Sequence, residues 1–349
     1  MATAKALAPF FEEIVVLERD ALPNLKDDRA ETLRGGVAQA PLSHLLLNGG
    51  QVILESLFGP VLFSELLRIG CANFDICSTM AWNFFGAWKC RAEPGTGPMG
   101  YSGSRYAYEQ TMRRVLLEHT PNVKLIQQAK NAAPIFVQSS PAQRAQLTGV
   151  KWNEGKEECT VNCDLMIDAT GRSTQLLKWL APIHVGRAKE EDNTWVDAGV
   201  SYTSFVCARD PNEKSMQCVP APDGRPDLPW TALIVYENHD VGNQRHFLMW
   251  PIEHDRYQLS IGGLNRDSCP PTDWEGALEF SKGLADPVAH NVLQTLKPVQ
   301  WDSAVPLKNP GYLYHVPRSN RRPLERMSNF PIGLHVVGDA ACCFNPVSC

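Results

Sequence analysis

The sequence predicts an α/β fold in which one α/β domain is assembled from separate stretches of chain and a second, antiparallel β-rich domain is inserted into it. Two observations carry this. Short apolar, β-branched runs at 14–17, 160–167 and 334–337 stop at acidic or Asp/Gly turns, as buried parallel strands do. Between the last two, segments 196–208, 230–236, 245–251 and 257–262 alternate in the manner of antiparallel strands. A length of 349 residues suits two domains. The expected division is 1–40, 100–185 and 310–349 for the first, and 41–99 and 186–309 for the second.

In chain order, residues 2–11 are helix-compatible and lead into the strand at 14–17, which Glu18 closes. Residues 42–69 carry apolar side chains at helical spacing, punctuated by Gly49-Gly50 and Gly59-Pro60. Residues 93–103 are a Pro/Gly loop. The helix expected at 106–119 places Tyr108, Met112, Val115 and Leu116 on one face and Arg113 and Arg114 on the other. Short strands follow at 123–127 and 135–137, and a short helix at 173–180. Trp250–Arg256 reads as a hairpin connection, and 273–296 as one long amphipathic helix opened by Pro270-Pro271-Thr272.

Composition removes several function classes. Hydrophobic residues at 44% and charged residues at 20% are those of an ordinary globular protein. A net charge of -5 argues against nucleic acid as a partner. The most apolar stretch, 41–63, is interrupted by His44, Asn48, Gln51 and Glu55, so no integral membrane segment is expected. No secretory signal is visible, and a cytoplasmic location is the default expectation. Eleven cysteines form no CxxC pair and no zinc-like Cys/His cluster, so no metal is expected, and scattered buried thiols are the reading. The basic run Arg318, Arg321, Arg322 and Arg326 reads as a solvated loop. Trp82, Phe84, Phe85 and Trp88 form an aromatic cluster that reads first as core and second as the lining of an apolar substrate cavity. No Ser-His-Asp arrangement with a nucleophile elbow is present.

Three segments carry chemistry. In IVVLERD, residues 14–20, Glu18 stands where an acidic strand end accepts hydrogen bonds from ribose hydroxyls. In DLMIDATGRST, residues 164–174, a strand ends at Asp168 and turns through Gly171 into a helix whose N-terminus would favour phosphate. In HVVGDAACCFNP, residues 335–346, a strand again ends in Gly338-Asp339, an acceptor for sugar hydroxyls, with Pro346 able to set backbone against a ring face. Each alone is also an ordinary strand-turn-helix.

Taken in this order the three resemble the FAD-dependent oxidoreductases of the aromatic-hydroxylase type, the class A flavoprotein monooxygenases. The nearest pattern is the branch with a VLERD strand end, a DATGR turn and a GDAxCxFNP segment. The resemblance extends to Arg34-Gly35-Gly36-Val37, Gln39 and His44, to Phe85-Gly86-Ala87-Trp88, to Ser104-Arg105 and to Pro317–Arg322. It implies a discontinuous Rossmann-like FAD-binding domain with an inserted antiparallel β-rich substrate domain. It further implies that Glu18 binds the adenosine ribose, and that Arg34 and Arg105 contact the pyrophosphate or ribityl region. Asp168 and Gly171 would line the adenosine-pyrophosphate side, Gly338 and Asp339 the ribityl chain, and Pro346 the isoalloxazine. The implied activity is hydroxylation or epoxidation of a small apolar or aromatic substrate with NAD(P)H and O2. No catalytic acid or base is assigned. A flavin-dependent reductase or halogenase is a further alternative on the same scaffold.

The family opens with a strand and a G-x-G-x-x-G loop and continues past the GD segment with Y-G-Q-G. Met1 falls after that loop and Cys349 before that continuation. The expectation is a chain clipped at both ends that binds FAD weakly or not at all, and the alternative reading is a non-catalytic remnant.

Overall fold

The computed structural model describes residues 1–28, 31, 37, 39–183, 185, 194–210, 221, 223–225, 227–236, 244–264, 270–284, 286–301 and 308–344. Arg34 and Pro346 lie outside them. In chain order, α1 (Ala2–Leu7), β1 (Ile14–Leu17), α2 (Asn48–Phe58) and α3 (Pro60–Arg68) come first. Then follow β2 (Ala72–Asp75), α4 (Ile76–Thr79), β3 (Met80–Phe84), β4 (Ala87–Trp88), β5 (Met99–Ser102) and α5 (Arg105–His119). The middle of the chain supplies β6 (Val123–Ile126), β7 (Lys130–Val137), β8 (Gln146–Glu154), β9 (Glu157–Asn162), β10 (Met166–Asp168) and α6 (Leu176–Leu180). Next are β11 (Thr194–Val196), β12 (Ser201–Ala208), β13 (Ala232–Tyr236), β14 (Arg245–Ile252) and β15 (Arg256–Gly263). The last elements are α7 (Trp274–Ser281), α8 (Val288–Thr295), β16 (Pro298–Val299), β17 (Tyr312–His315), β18 (Ser319–Arg321), β19 (Leu334–Val336) and β20 (Cys342–Cys343). The result is a mixed α/β chain with several sheets. It divides into two compact units.

The first unit comprises Met1–Ile14, Leu22–Lys124 and Gly199–His315. Its framework is an eight-stranded sheet in the order β16-β12-β15-β14-β13-β3-β4, with β17 also pairing β12. The alternating segments form its antiparallel centre, as expected, but β13 pairs parallel with β3, so a strand from much earlier in the chain extends the sheet. One face packs Phe205, Leu259, Phe247, Met249 and Leu233 against α7 and α8. The other buries Val206, Ile234 and Trp250 against Phe74 and Trp301. Every residue of β15 is therefore buried. Each fully buried large apolar side chain contributes about 1.5–3 kcal/mol.

Three expectations change here. The single helix expected at 273–296 is two: α7 ends at Ser281, and α8 begins after Pro287, with Asp286 accepting from Val288 N at 2.9 Å. Gly59, with φ +69°, and Pro60 bend α2 from α3 by 110°, whereas Gly49-Gly50 sit inside the first turn of α2 and end nothing. Arg113 and Arg114 are buried on α5 and not solvated. The segment before residue 29 returns across that face, so that Arg113 donates to Pro23 O and Arg114 binds Asp28 (2.7 Å) and Glu65 (2.8 Å). Among the described residues no single helix is long and apolar enough to cross a membrane.

The second unit comprises Val15–Ala21, Leu125–Ala198 and Val316–Cys349. In it β10 pairs parallel with β19. Past β1, Glu18 N donates to Ile126 O at 2.9 Å, and Ala129 N donates to Glu18 O at 2.9 Å. Strands β7, β8 and β9 form an antiparallel sheet. Pro134 sits on its edge strand β7, where the missing N–H costs no ladder bond, and the register slips on either side of it. Gly155, φ +62°, makes the two-residue turn from β8 to β9. Leu176 and Leu180 of α6 pack on Leu334 of β19 beside Ala145 and Ile183.

A buried ion network fastens α5 to the β14–β15 hairpin within the first unit. Ser104 caps α5 by accepting from Ala107 N at 3.1 Å, and its hydroxyl donates to Glu253. Glu253 also accepts from Ser104 N at 2.8 Å, and Arg256 spans Glu253 and Glu31. Glu253 and Arg256 are 2% and 8% exposed, so neither charge is rescued by water if its partner is removed. Glu253→Ala is expected to lower the unfolding free energy by about 3–5 kcal/mol in urea titration. A loss below about 1 kcal/mol would show that the network is solvated.

Candidate functional site

Two parallel strands of the second unit end side by side. Met166, Ile167 and Asp168 lie opposite Leu334, His335 and Val336, and Val337 N closes the pair by donating to Asp168 O at 3.0 Å. Each strand runs at once into a single 3-10 turn, Gly171–Ser173 after β10 and Gly338–Ala340 after β19. Both turns need a glycine in the left-handed region, Gly171 at φ +72° and Gly338 at φ +60°. The turns are close: a methyl group at Gly171 would meet Asp339 Cβ at 4.0 Å, whereas one at Gly338 would meet nothing within 4 Å.

The two aspartates differ in availability. Asp168 is 1% exposed, and its carboxylate accepts from Thr170 N (3.0 Å), Thr170 Oγ1 (2.6 Å) and Thr174 Oγ1. Thr174 Oγ1 in turn accepts from Leu176 N at 3.0 Å, at the start of α6. Asp168 thus shapes its own turn. Asp339 keeps 47% of its side chain exposed and faces Arg172 Nε at 3.5 Å. Two guanidinium groups clasp the turns together. Arg172 donates to Arg318 O (3.1 Å) and Phe344 O (3.3 Å), and Arg322 donates to Asp339 O (3.1 Å) and Ala340 O (2.8 Å). The Cys343 thiol donates to Asp339 O at 2.9 Å, and partial burial raises its pKa.

Of the residues named from the sequence, the structure gathers Asp168, Gly171, Gly338 and Asp339. Glu18 is half-buried just past β1 in the same unit, its carboxylate accepting from Asp20 N at 2.9 Å. Arg105 lies in the first unit, exposed in the first turn of α5. Sequence reasoning missed Arg172 and Arg322. The first stands inside the DATGR turn; the second was read as a solvated loop, yet its backbone acceptors become visible only when the strands pair. Also in the first unit, His44 is held by Gln39 O at 2.8 Å. Burial, with the Arg105 charge adding a lesser push, lowers its pKa to about 4. Among the described residues no group of three or more His, Cys, Asp or Glu side chains is placed to hold a metal ion.

PqsL from Pseudomonas aeruginosa, a probable FAD-dependent monooxygenase, superposes with a TM-score of 0.62 at 14% identity, over 99% of this chain and 77% of PqsL. The fold is that of the FAD-dependent monooxygenases. Flavin halogenases share it: the myxobacterial chondrochloren halogenase CndH matches at TM-score 0.57 and 15% identity, over 99% of this chain and 67% of CndH. The protein Rv3254 of Mycobacterium tuberculosis is 25% identical over 356 aligned positions, covering 99% of this chain. The chain spans 66% of that relative's length. No family model matches the chain.

The donor set of the second unit fits part of FAD. An exposed carboxylate accepts hydroxyl protons, a neighbouring guanidinium suits phosphate, and the unfilled space at Gly338 lets a ligand approach backbone.

Two outcomes follow from the local energetics. Asp168→Ala leaves three donors unsatisfied and is expected to cost about 1–3 kcal/mol in urea unfolding, while Asp339→Ala, half-exposed, changes stability by less than about 0.5 kcal/mol. The His44 pKa is lower in the folded chain than in the unfolded one, so the unfolded state binds the extra proton. Stability is therefore full above about pH 6.5 and falls as the pH drops toward about 4. Unfolding free energies measured across that window should decline less steeply in His44→Gln.

Proposed function

We propose that this chain acts as an FAD-dependent monooxygenase that hydroxylates or epoxidises a small apolar or aromatic molecule, with NAD(P)H as electron donor and O2 as co-substrate. The observation that carries the reading is the pair of turns at the carboxyl ends of β10 and β19, where ligands of parallel α/β sheets bind. There an exposed Asp339 stands beside an uncrowded Gly338. The fold shared with flavin enzymes supports it. In this reading the parallel strands belong to a discontinuous Rossmann-like domain, and the eight-stranded sheet to an inserted substrate domain.

The residues present divide the work of holding the cofactor. Asp339 accepts hydrogen bonds from the sugar-alcohol chain, and Gly338 admits the ligand to the turn backbone. Asp168 and Gly171 fix the facing turn, so their role is positioning. Arg172, which stands in the first turn and faces the Asp339 carboxylate of the second, brings positive charge to the diphosphate side. Glu18 accepts from the adenosine ribose. FAD, when bound, supplies the redox and oxygen chemistry. The protein's remaining task is to place substrate and exclude water.

Halogenation is the second reading, favoured by the likeness to CndH. The purified full chain, titrated with FAD and passed through gel filtration, tests the cofactor. The missing Gly-rich loop led to an expectation of weak or no FAD binding; with both strand-end turns formed, this reading instead expects retained flavin absorbance between about 350 and 500 nm, with FAD affinity at least tenfold weaker in Asp339→Ala. No retained flavin, or an unchanged affinity in the variant, would overturn the assignment. With FAD bound, oxygenated against halide-dependent products separate the two readings.

A further inference from the structure

The three-stranded sheet β11-β18-β20 of the second unit carries a row of side chains on one face. Register sets Trp195 opposite Asn320 and Asn320 opposite Cys343, and directly opposed residues of antiparallel strands share a face. The two-residue period of β18 brings Arg318 and Arg322, just past its ends, to the same side. The contacts agree with that placement. Arg318 Nε meets Asp197, two residues beyond Trp195, at 3.4 Å, and Arg322 and the Cys343 thiol both donate to Asp339 O. The row therefore runs from the candidate cofactor turn beside β20 to Trp195 on the edge strand β11, about 10 Å away at two strand spacings.

At that far end the row is open. Trp195 is 55% exposed, and the Arg318 side chain 66%. Asn320 is 8% exposed, yet its Oδ1 has no hydrogen-bond partner. Among the described residues of the second unit just one other buried side-chain polar atom shares that condition, Arg172 Nε, and it faces the Asp339 carboxylate at 3.5 Å inside the cofactor site. The Asn320 amide is not accounted for by that site. Directly opposed Cβ atoms stand about 5 Å apart, so the edge of a ring lying on the Trp195 indole is within reach of the amide. Charge favours an anion alongside: residues 316–326 hold four arginines against one glutamate. The Arg318–Asp197 pair is exposed on the arginine side, so exchanging that carboxylate for a phosphate costs little.

We infer that Trp195, Asn320 and Arg318 form a second nucleotide site, which takes the adenosine diphosphate half of the electron donor. The adenine stacks on the indole of Trp195. Its amino group donates to Asn320 Oδ1 while its N7 accepts from the same amide, the two-point pairing that asparagine makes with adenine. Arg318 holds the diphosphate. The row ends at the cofactor turn, which leaves the reducing end of the donor on the flavin side. This deepens the proposed function and rests on it for the donor's role. Binding of the nucleotide itself needs only residues of the second unit.

The test titrates the full chain with ADP, IDP, adenosine and ribose 5-phosphate by calorimetry, first without FAD and then with FAD in excess. IDP carries a carbonyl where adenine has its amino group, so it lacks the donor to Asn320. ADP is expected to bind at least about tenfold more tightly than each of the other three, with or without FAD. Trp195→Ala, at an exposed position, is expected to weaken ADP by about tenfold or more. Arg318→Ala should bring ADP down to the affinity of adenosine. Asn320→Leu should abolish the preference for ADP over IDP and keep that for ADP over adenosine. No ADP binding, equal binding of ADP and IDP, an unchanged affinity in Trp195→Ala, or displacement of ADP by FAD would overturn the inference. Should Asn320→Leu not fold, the ADP and IDP comparison in the unaltered chain and the Trp195→Ala variant decide. ADP binding through Trp195 in a chain that retains no FAD would sink the flavin assignment alone; FAD retention without ADP selectivity would sink this inference alone.

Discussion

The parallel pairing of β10 with β19 brings together two stretches of chain that are far apart in sequence, and the candidate cofactor site exists only where they meet. Strands of three residues cannot pay for that closure through ladder hydrogen bonds alone, given the entropy of joining distant segments. What offsets it is local. Leu334 is buried against Leu176 and Leu180 of the helix that follows β10, and Arg322 ties the two outgoing turns by donating to Ala340 O in one and Arg172 O in the other. Asp168, fully engaged by Thr170 and Thr174, gives one turn a fixed shape. The second aspartate, Asp339, is thereby left as the available carboxylate of the two.

The first unit follows a different economy. Its sheet packs apolar side chains on both faces, and some of the polar groups it encloses pair in clusters: Glu31, Arg256, Glu253 and Ser104 in one, Ser43, Ser204 and Ser260 in another.

Much of the second unit was legible in the sequence, because a strand that stops at Asp or Gly and turns through a left-handed glycine is written in adjacent residues. The IVVL run with its closing Glu18, the DATGR turn and the GD turn all appear where local chemistry puts them. The sheet strands of the first unit were equally readable from alternation. What escaped depends on contacts distant in sequence. Arg113 and Arg114 looked like a solvated face because nothing near them reveals that the segment through Pro23 and Asp28 folds back over α5. The parallel addition of β3 to β13 has no local signature. Strand β8 was not recognised, and β9 and β10 were read as one strand.

Hydrogen–deuterium exchange of the full chain with and without FAD tests the central claim most directly. If the paired strand ends hold the cofactor, FAD slows exchange of the amides in 168–174 and 337–341 at least tenfold, and Asp339→Ala removes that protection while leaving the eight-stranded sheet unchanged. FAD binding that protects other segments and leaves both turns exchanging at their free rate would contradict the account.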